Sequence, residues 1–200
     1  EKKVKGATAT FTDVSILGGS DFVSAGELVL SGLDMGDTGA NFGQMSLNDI
    51  KLTAPDDEGT VNLGSIELTN PSPELAAWVA DFVADGVVET DFPAVENLSF
   101  DAWSAKDLTA AFDSSDAVGT FSIDSLQISG VGELKAAGAS IQGVSLDMEE
   151  LNDNIPVSFS LGSFGMSNID AGFLAAIQNN LGDEEAMMGA LAAAVYDNPM

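Results

Sequence analysis

One short pattern constrains this chain more than any other feature: apolar, any, apolar, two small or polar residues, apolar, any, apolar. It occurs eight times, at Ala9–Ile16, Leu28–Met35, Met45–Leu52, Val61–Leu68, Leu98–Ala105, Phe121–Ile128, Ala139–Leu146 and Phe159–Met166. The clearest copies read MSLNDIKL, VNLGSIEL, FSIDSLQI and FSLGSFGM. Each half alternates with a period of two, as a strand with one buried face does. The two middle residues shift that alternation by one, so in a flat strand the halves would face opposite sides. A β-bulge at the middle pair would restore one apolar face, and Asn48-Asp49, Gly64-Ser65, Gln142-Gly143 and Gly162-Ser163 suit one. The alternative is a corner at the same pair, as in a β-solenoid.

The copies are ordered in turn. Motifs begin at 9, 28, 45 and 61, a helix signal follows, motifs resume at 98, 121, 139 and 159, and a second helix signal follows. Leu63, Gly64, Ser65 and Asn70 match Leu161, Gly162, Ser163 and Asn168. The first helix has Ser72 as cap, Pro73 in its first turn and Glu74 at its positive end. Leu75, Trp78, Val79, Phe82 and Val83 form its apolar stripe, and Gly86 ends it. The second is capped by Asp170, turns Phe173, Leu174, Ile177 and Leu181 inward, and stops at Gly182. A last helix is expected over 183–196, carrying Met187, Met188, Leu191 and Val195, and a short turn near Lys106–Phe112.

The expected fold is therefore α+β and β-dominated. It is a duplicated unit of four antiparallel bulged strands plus one amphipathic helix, with curved sheet and helices packed on one face; a β-solenoid is the alternative. Residues 1–6 form an N-terminal stub, 7–90 the first repeat, 91–182 the second within the same structural domain, and 183–200 a C-terminal helix at a truncated end.

Charge narrows the partners. Acidic residues outnumber basic ones 32 to 6, for a net charge of −26. All six cations are lysines, three of them within the first five positions. Such a surface repels nucleic-acid phosphates and anionic lipid headgroups. It suits solubility in a salty or extracellular medium. A hydrophobic fraction of 45% argues against global disorder. No segment reaches the ~18 apolar residues of a membrane-spanning helix.

The chain has no His, Cys or Arg. That removes Ser-His-Asp triads, Cys-His pairs, His- or Cys-ligated metals and arginine clamps. Gly36-Asp37-Thr38-Gly39 and Gly130-Val131-Gly132 match no phosphate or dinucleotide loop and read as turns. Paired carboxylates remain, but the chain holds only two Trp and one Tyr to platform a sugar. No catalytic residues are assigned, and an enzyme is not expected. Calcium is the candidate ion, because hard cations take oxygen ligands from acidic loops such as Asp34 with Asp37 and Asp56-Asp57-Glu58. No other cofactor is implied.

The stretches MSLNDIKLTAPDDEG from Met45 and VNLGSIELTNPSPEL from Val61 resemble the repeats of AsmA-like bacterial envelope proteins, where a bulged strand ends in a turn rich in Asp and Pro. The resemblance implies an antiparallel sheet curled into a groove and accommodation of lipid in the periplasm. The expected function is thus a non-catalytic envelope or extracellular module, exported, that carries lipid or another apolar small molecule. The alternative is a structural or interaction domain with a protein partner in a surface assembly or adhesin. The expected lining residues are Trp78, Phe82, Phe121, Phe159, Phe173 and Ile177.

Overall fold

The computed structural model describes residues 5–18, 21–36, 39–53, 59–85, 92–113, 117–150 and 155–170. They form strands β1 (Lys5–Gly18), β2 (Asp21–Gly36), β3 (Gly39–Asn41), β4 (Gln44–Thr53) and β5 (Gly59–Thr69), helix α1 (Pro73–Asp85), a 3-10 turn over Val95–Asn97, and strands β6 (Phe100–Asp113), β7 (Ala117–Val131), β8 (Lys135–Glu150) and β9 (Ile155–Asp170). All lie in one open antiparallel sheet ordered β1-β2-β4-β5-β6-β7-β8-β9. β3 is the tip of β4: Asp34 faces Asn41 and Ser31 faces Gln44 in one continuous register, interrupted at Phe42-Gly43. Chain neighbours pair throughout, which makes the sheet a meander and not the coil of a β-solenoid. The expected turn near Lys106–Phe112 is instead the middle of β6, where neighbouring strands on both sides supply its hydrogen bonds.

The apolar motif positions become rows running across the strands. One row joins Ile16, Val23, Leu52, Val61, Ala110, Phe121, Leu146 and Phe159. The next joins Val14, Ala25, Ile50, Leu63, Leu108 and, after Ile123 and Val144, Leu161. A third joins Phe11, Leu28, Leu47, Ile66, Ala105, Leu126, Ile141 and Phe164. A fourth joins Ala9, Leu30, Met45, Leu68, Trp103, Ile128, Ala139 and Met166. Each motif copy that begins on the first or fourth row thus crosses all four.

The phase shift between the second and third rows is made without bulges. Asp13, Gly26, Asp49, Gly64, Asp107, Asp124, Gly143 and Gly162 line up in one crosswise row where pairing lapses, and the register is the same on either side. A bulge adds a residue to one strand only and would shift the register. Here every strand carries its extra residue at the same level. Alternate strands take it in the left-handed region: Asp13 (φ 54), Asp49 (φ 54), Asp107 (φ 56) and Gly143 (φ 64). Asp, Asn and Gly are the residues that enter this region most readily, which explains the composition of the middle pairs. Where an intervening residue meets the left-handed residue of the following strand, one of the two is glycine. A Cβ on Gly26 would lie 3.1 Å from the Asp49 Cβ, and one on Gly64 would lie 2.9 Å from the Asp107 Cβ. At Gly143 the Asp124 side chain already occupies that space.

A second row of this kind lies six residues along each strand. It contains Gly32 (φ 69), Asn70 (φ 48), Gly130 (φ 59) and Asn168 (φ 53), which belong to the strands that are not left-handed in the first row. Gly43, Asp101 and Ala137 sit opposite them, with Asn70 donating to the Asp101 carboxylate at 2.6 Å and to the Gly43 carbonyl from its backbone nitrogen at 2.6 Å. Motif copies Leu28–Met35 and Leu98–Ala105 straddle this second row, whereas the other six straddle the first. Among the described residues a register shift occurs only in β1, around Ala7.

The core forms where α1 covers the third and fourth rows. Leu28, Phe42, Met45, Leu68, Leu75 and Ala76 are buried there, with Leu30, Leu33, Leu47, Ile66, Val79, Leu98, Phe100 and Trp103 packed around them. The helix starts as its sequence suggests, with the Ala76 amide donating to the Ser72 carbonyl at 2.8 Å and the Ser72 amide to Ser99 at 2.7 Å. The Ser72 hydroxyl does not cap it, however. Its Oγ is buried and finds no hydrogen-bond partner among the described residues.

Candidate functional site

The apolar rows change character along the sheet. Leu28 is fully buried under α1. At β9 the same rows end in Phe159 (55% exposed), Phe164 (49%) and Met166 (52%), with Val157 and Leu161 also exposed. On that side a cleft of about 310 Å³ opens over the third and fourth rows, lined by Trp103, Leu126, Ile128, Ala139, Ile141, Phe164 and Met166, with Gln127 and Ser140. Seven of these nine are apolar, and none is charged. A larger cleft of about 800 Å³ lies at the other strand ends, but Asp113, Asp147 and Glu149 are among its lining residues. Burying an apolar ligand there would desolvate those carboxylates, which is costly without partners. A third, of about 590 Å³, includes Glu67 and Lys106, which pair at 3.5 Å.

Of the expected lining residues, Trp78, Phe121 and Phe159 lie among the described residues. Trp78 stands on α1 and meets Phe92 edge-on, ring centroids 5.1 Å apart. Phe121 and Phe159 share the first row, with Leu146 between them. The Phe82 side chain, Phe173 and Ile177 lie outside the described residues, as do the second and last expected helices. The apolar cleft instead uses Trp103, Leu126, Ile128, Ile141, Phe164 and Met166. Their signal was in the sequence, since Leu126, Ile128, Phe164 and Met166 are the second halves of two motif copies, but nothing local marks which copies stay uncovered.

Of the calcium candidates, Asp34 lies on β2 opposite Lys5 and Asn41, while Asp37, Asp56, Asp57 and Glu58 lie outside the described residues. Among the described residues no three acidic side chains converge as a metal site. The acids of the first left-handed row are exposed and alternate with glycine over much of the sheet. Among the described residues no helix is long and apolar enough to cross a membrane. No family model, curated protein sequence or solved structure matches the chain.

Proposed function

We propose that the protein is a non-catalytic module of the bacterial envelope or extracellular space, a duplicated four-strand-plus-helix unit that accommodates an apolar ligand such as a lipid acyl chain. The single observation that carries this is the cleft over β6–β9, whose apolar lining continues into the exposed Phe164 and Met166. Its volume is at the lower end of ordinary small-molecule sites, and mostly apolar walls are their usual lining. The absence of His, Cys and Arg supports a role without catalysis. Duplication is supported by left-handed Asn70, directly after β5, and Asn168, near the end of β9.

Native mass spectrometry of the purified protein tests the reading. Bound lipid should co-purify, and Ala139→Trp, which fills the cleft, should release it while the protein stays folded. A protein that is dry, and that takes up no fatty acid on addition, sinks this reading. The alternative, an interaction domain of a surface assembly, is favoured by a different feature, the two edges of the sheet at β1 and β9, which pair with no further strand among the described residues.

A further inference from the structure

The outer edge of β9 is complementary to the outer edge of β1, and we propose that a second copy of this chain adds its β1 there, extending the sheet head to tail. This goes beyond the ligand reading and rests on other residues.

Three observations carry it. First, the left-handed rows alternate without a break: first row in β1, β4, β6 and β8, second row in β2, β5, β7 and β9. A strand placed beyond β9 must therefore be left-handed in the first row, as β1 is at Asp13. Eight alternating strands also leave β1 and β9 antiparallel, so an incoming β1 runs in the required direction.

Second, Gly162 is a glycine without a local reason. Gly26 and Gly64 hold the same row position and are required because Asp49 and Asp107 press against them at 3.1 and 2.9 Å. A Cβ on Gly162 would meet nothing within 4 Å among the described residues. Its φ is outside the left-handed region, so no conformational demand explains it either. An incoming Asp13 would take the place that Asp107 takes beside Gly64.

Third, the joint already exists inside the molecule. β5 and β6 pair with Val61 on Ala110, Leu63 on Leu108, Ile66 on Ala105 and Leu68 on Trp103. Gly162 follows Gly64 by 98 positions and Asp107 follows Asp13 by 94, so β9 corresponds to β5 and β1 to β6. The same register would set Phe159, Leu161, Phe164 and Met166 against Ile16, Val14, Phe11 and Ala9 of the second copy. Phe11, Phe159, Phe164 and Met166 are all about half exposed in the single chain, and Leu161 is over a third exposed. Such an interface is heterologous and open-ended. Because each copy carries −26, association should strengthen as salt screens the repulsion.

Sedimentation velocity at rising protein and salt concentration tests this. The wild-type chain should form species larger than a dimer. Gly162→Val, which blocks one edge at a point where no described residue lies within 4 Å, should remain monomeric, and so should Phe11→Lys, which charges the other. Mixed, the two variants should form a dimer that grows no further. Because the chain has no cysteine, Phe11→Cys with Phe164→Cys in one chain provides an independent readout. It should give disulfide-linked ladders of many chains, whereas either single variant should give none beyond background. A wild-type chain that stays monomeric at high salt, association that survives both edge variants, or a mixture that yields no dimer overturns the proposal.

Discussion

Under α1, the third and fourth apolar rows are closed: Leu28 is 0%, Met45 8% and Leu68 4% exposed. Over β9 the same two rows, made of the same motif, leave Phe164 and Met166 about half exposed. The strands are equivalent in pattern, so burial here is decided by place in the fold, by the helix laid on the sheet and by distance from its edges, since Phe11 on β1 is 50% exposed as well. The open half is where the molecule has surface to offer.

The sharpest test of that contrast is a pair of truncations followed by denaturant unfolding. Leu28→Ala should cost about 3–5 kcal/mol, as a fully buried leucine does. Phe164→Ala should cost less than about 1 kcal/mol, because much of its surface is already in water. A large cost at Phe164 would break the contrast, because its side chain would then be packed as fully as that of Leu28.

A smaller difference is expected between two glycines at matching positions. Gly64→Ala should destabilise by about 1–3 kcal/mol, since the new methyl meets the Asp107 Cβ and the Lys106 carbonyl. Gly162→Ala should be neutral or gain up to about 1 kcal/mol in the monomer through reduced unfolded-state freedom. Equal costs would break the distinction between filled and open row positions.

The second half also contains a strained hairpin. Gly132 and Lys135 exchange both backbone hydrogen bonds, and the two residues between them, Glu133 and Leu134, have φ of 52° and 57°. That is the geometry of a type I′ turn, for which Asn-Gly is the favoured pair. Replacing Glu133-Leu134 by Asn-Gly should raise stability by about 1 kcal/mol, measured by thermal melting. The smallest effect belongs to the closed half. Ser72→Ala should change stability by less than about 0.5 kcal/mol or raise it, because the buried hydroxyl has no partner among the described residues to lose. A loss of about 1 kcal/mol would show that the hydroxyl caps α1 after all.

The strands, their apolar faces and α1 were legible because hydrophobic period and helix-start residues are local signals. The device at the middle pair was not, since a bulge and a left-handed row call for the same residues. Only the unchanged register across Asp49 and Gly64 separates them. The same ambiguity displaced two motif copies. β2 carries Val23, Ala25, Leu28, Leu30, Leu33 and Met35 across two left-handed rows, so the pattern fits it twice. At Lys106–Phe112 a helix-compatible stretch is overridden by pairing with β5 and β7. The cleft was hidden for another reason. Trp103 and Met166 look alike in sequence terms to Leu68 and Met45, and coverage is a property of the assembled fold.

The two left-handed rows, six residues apart on every strand, also act as a check on register while the sheet forms. In a plain strand a slip by two residues preserves the inward face and costs only strand ends. Here such a slip would put a Cβ-bearing residue in the place of Gly26 or Gly64, against the left-handed Asp49 or Asp107. Since each strand pairs with its chain neighbours, pairing can proceed hairpin by hairpin with little loop-closure cost. Misaligned hairpins would be sorted out one at a time, before the next strand is added. A strand from an unrelated protein would lack both notches, so the open edges discriminate against casual partners better than a flat edge could.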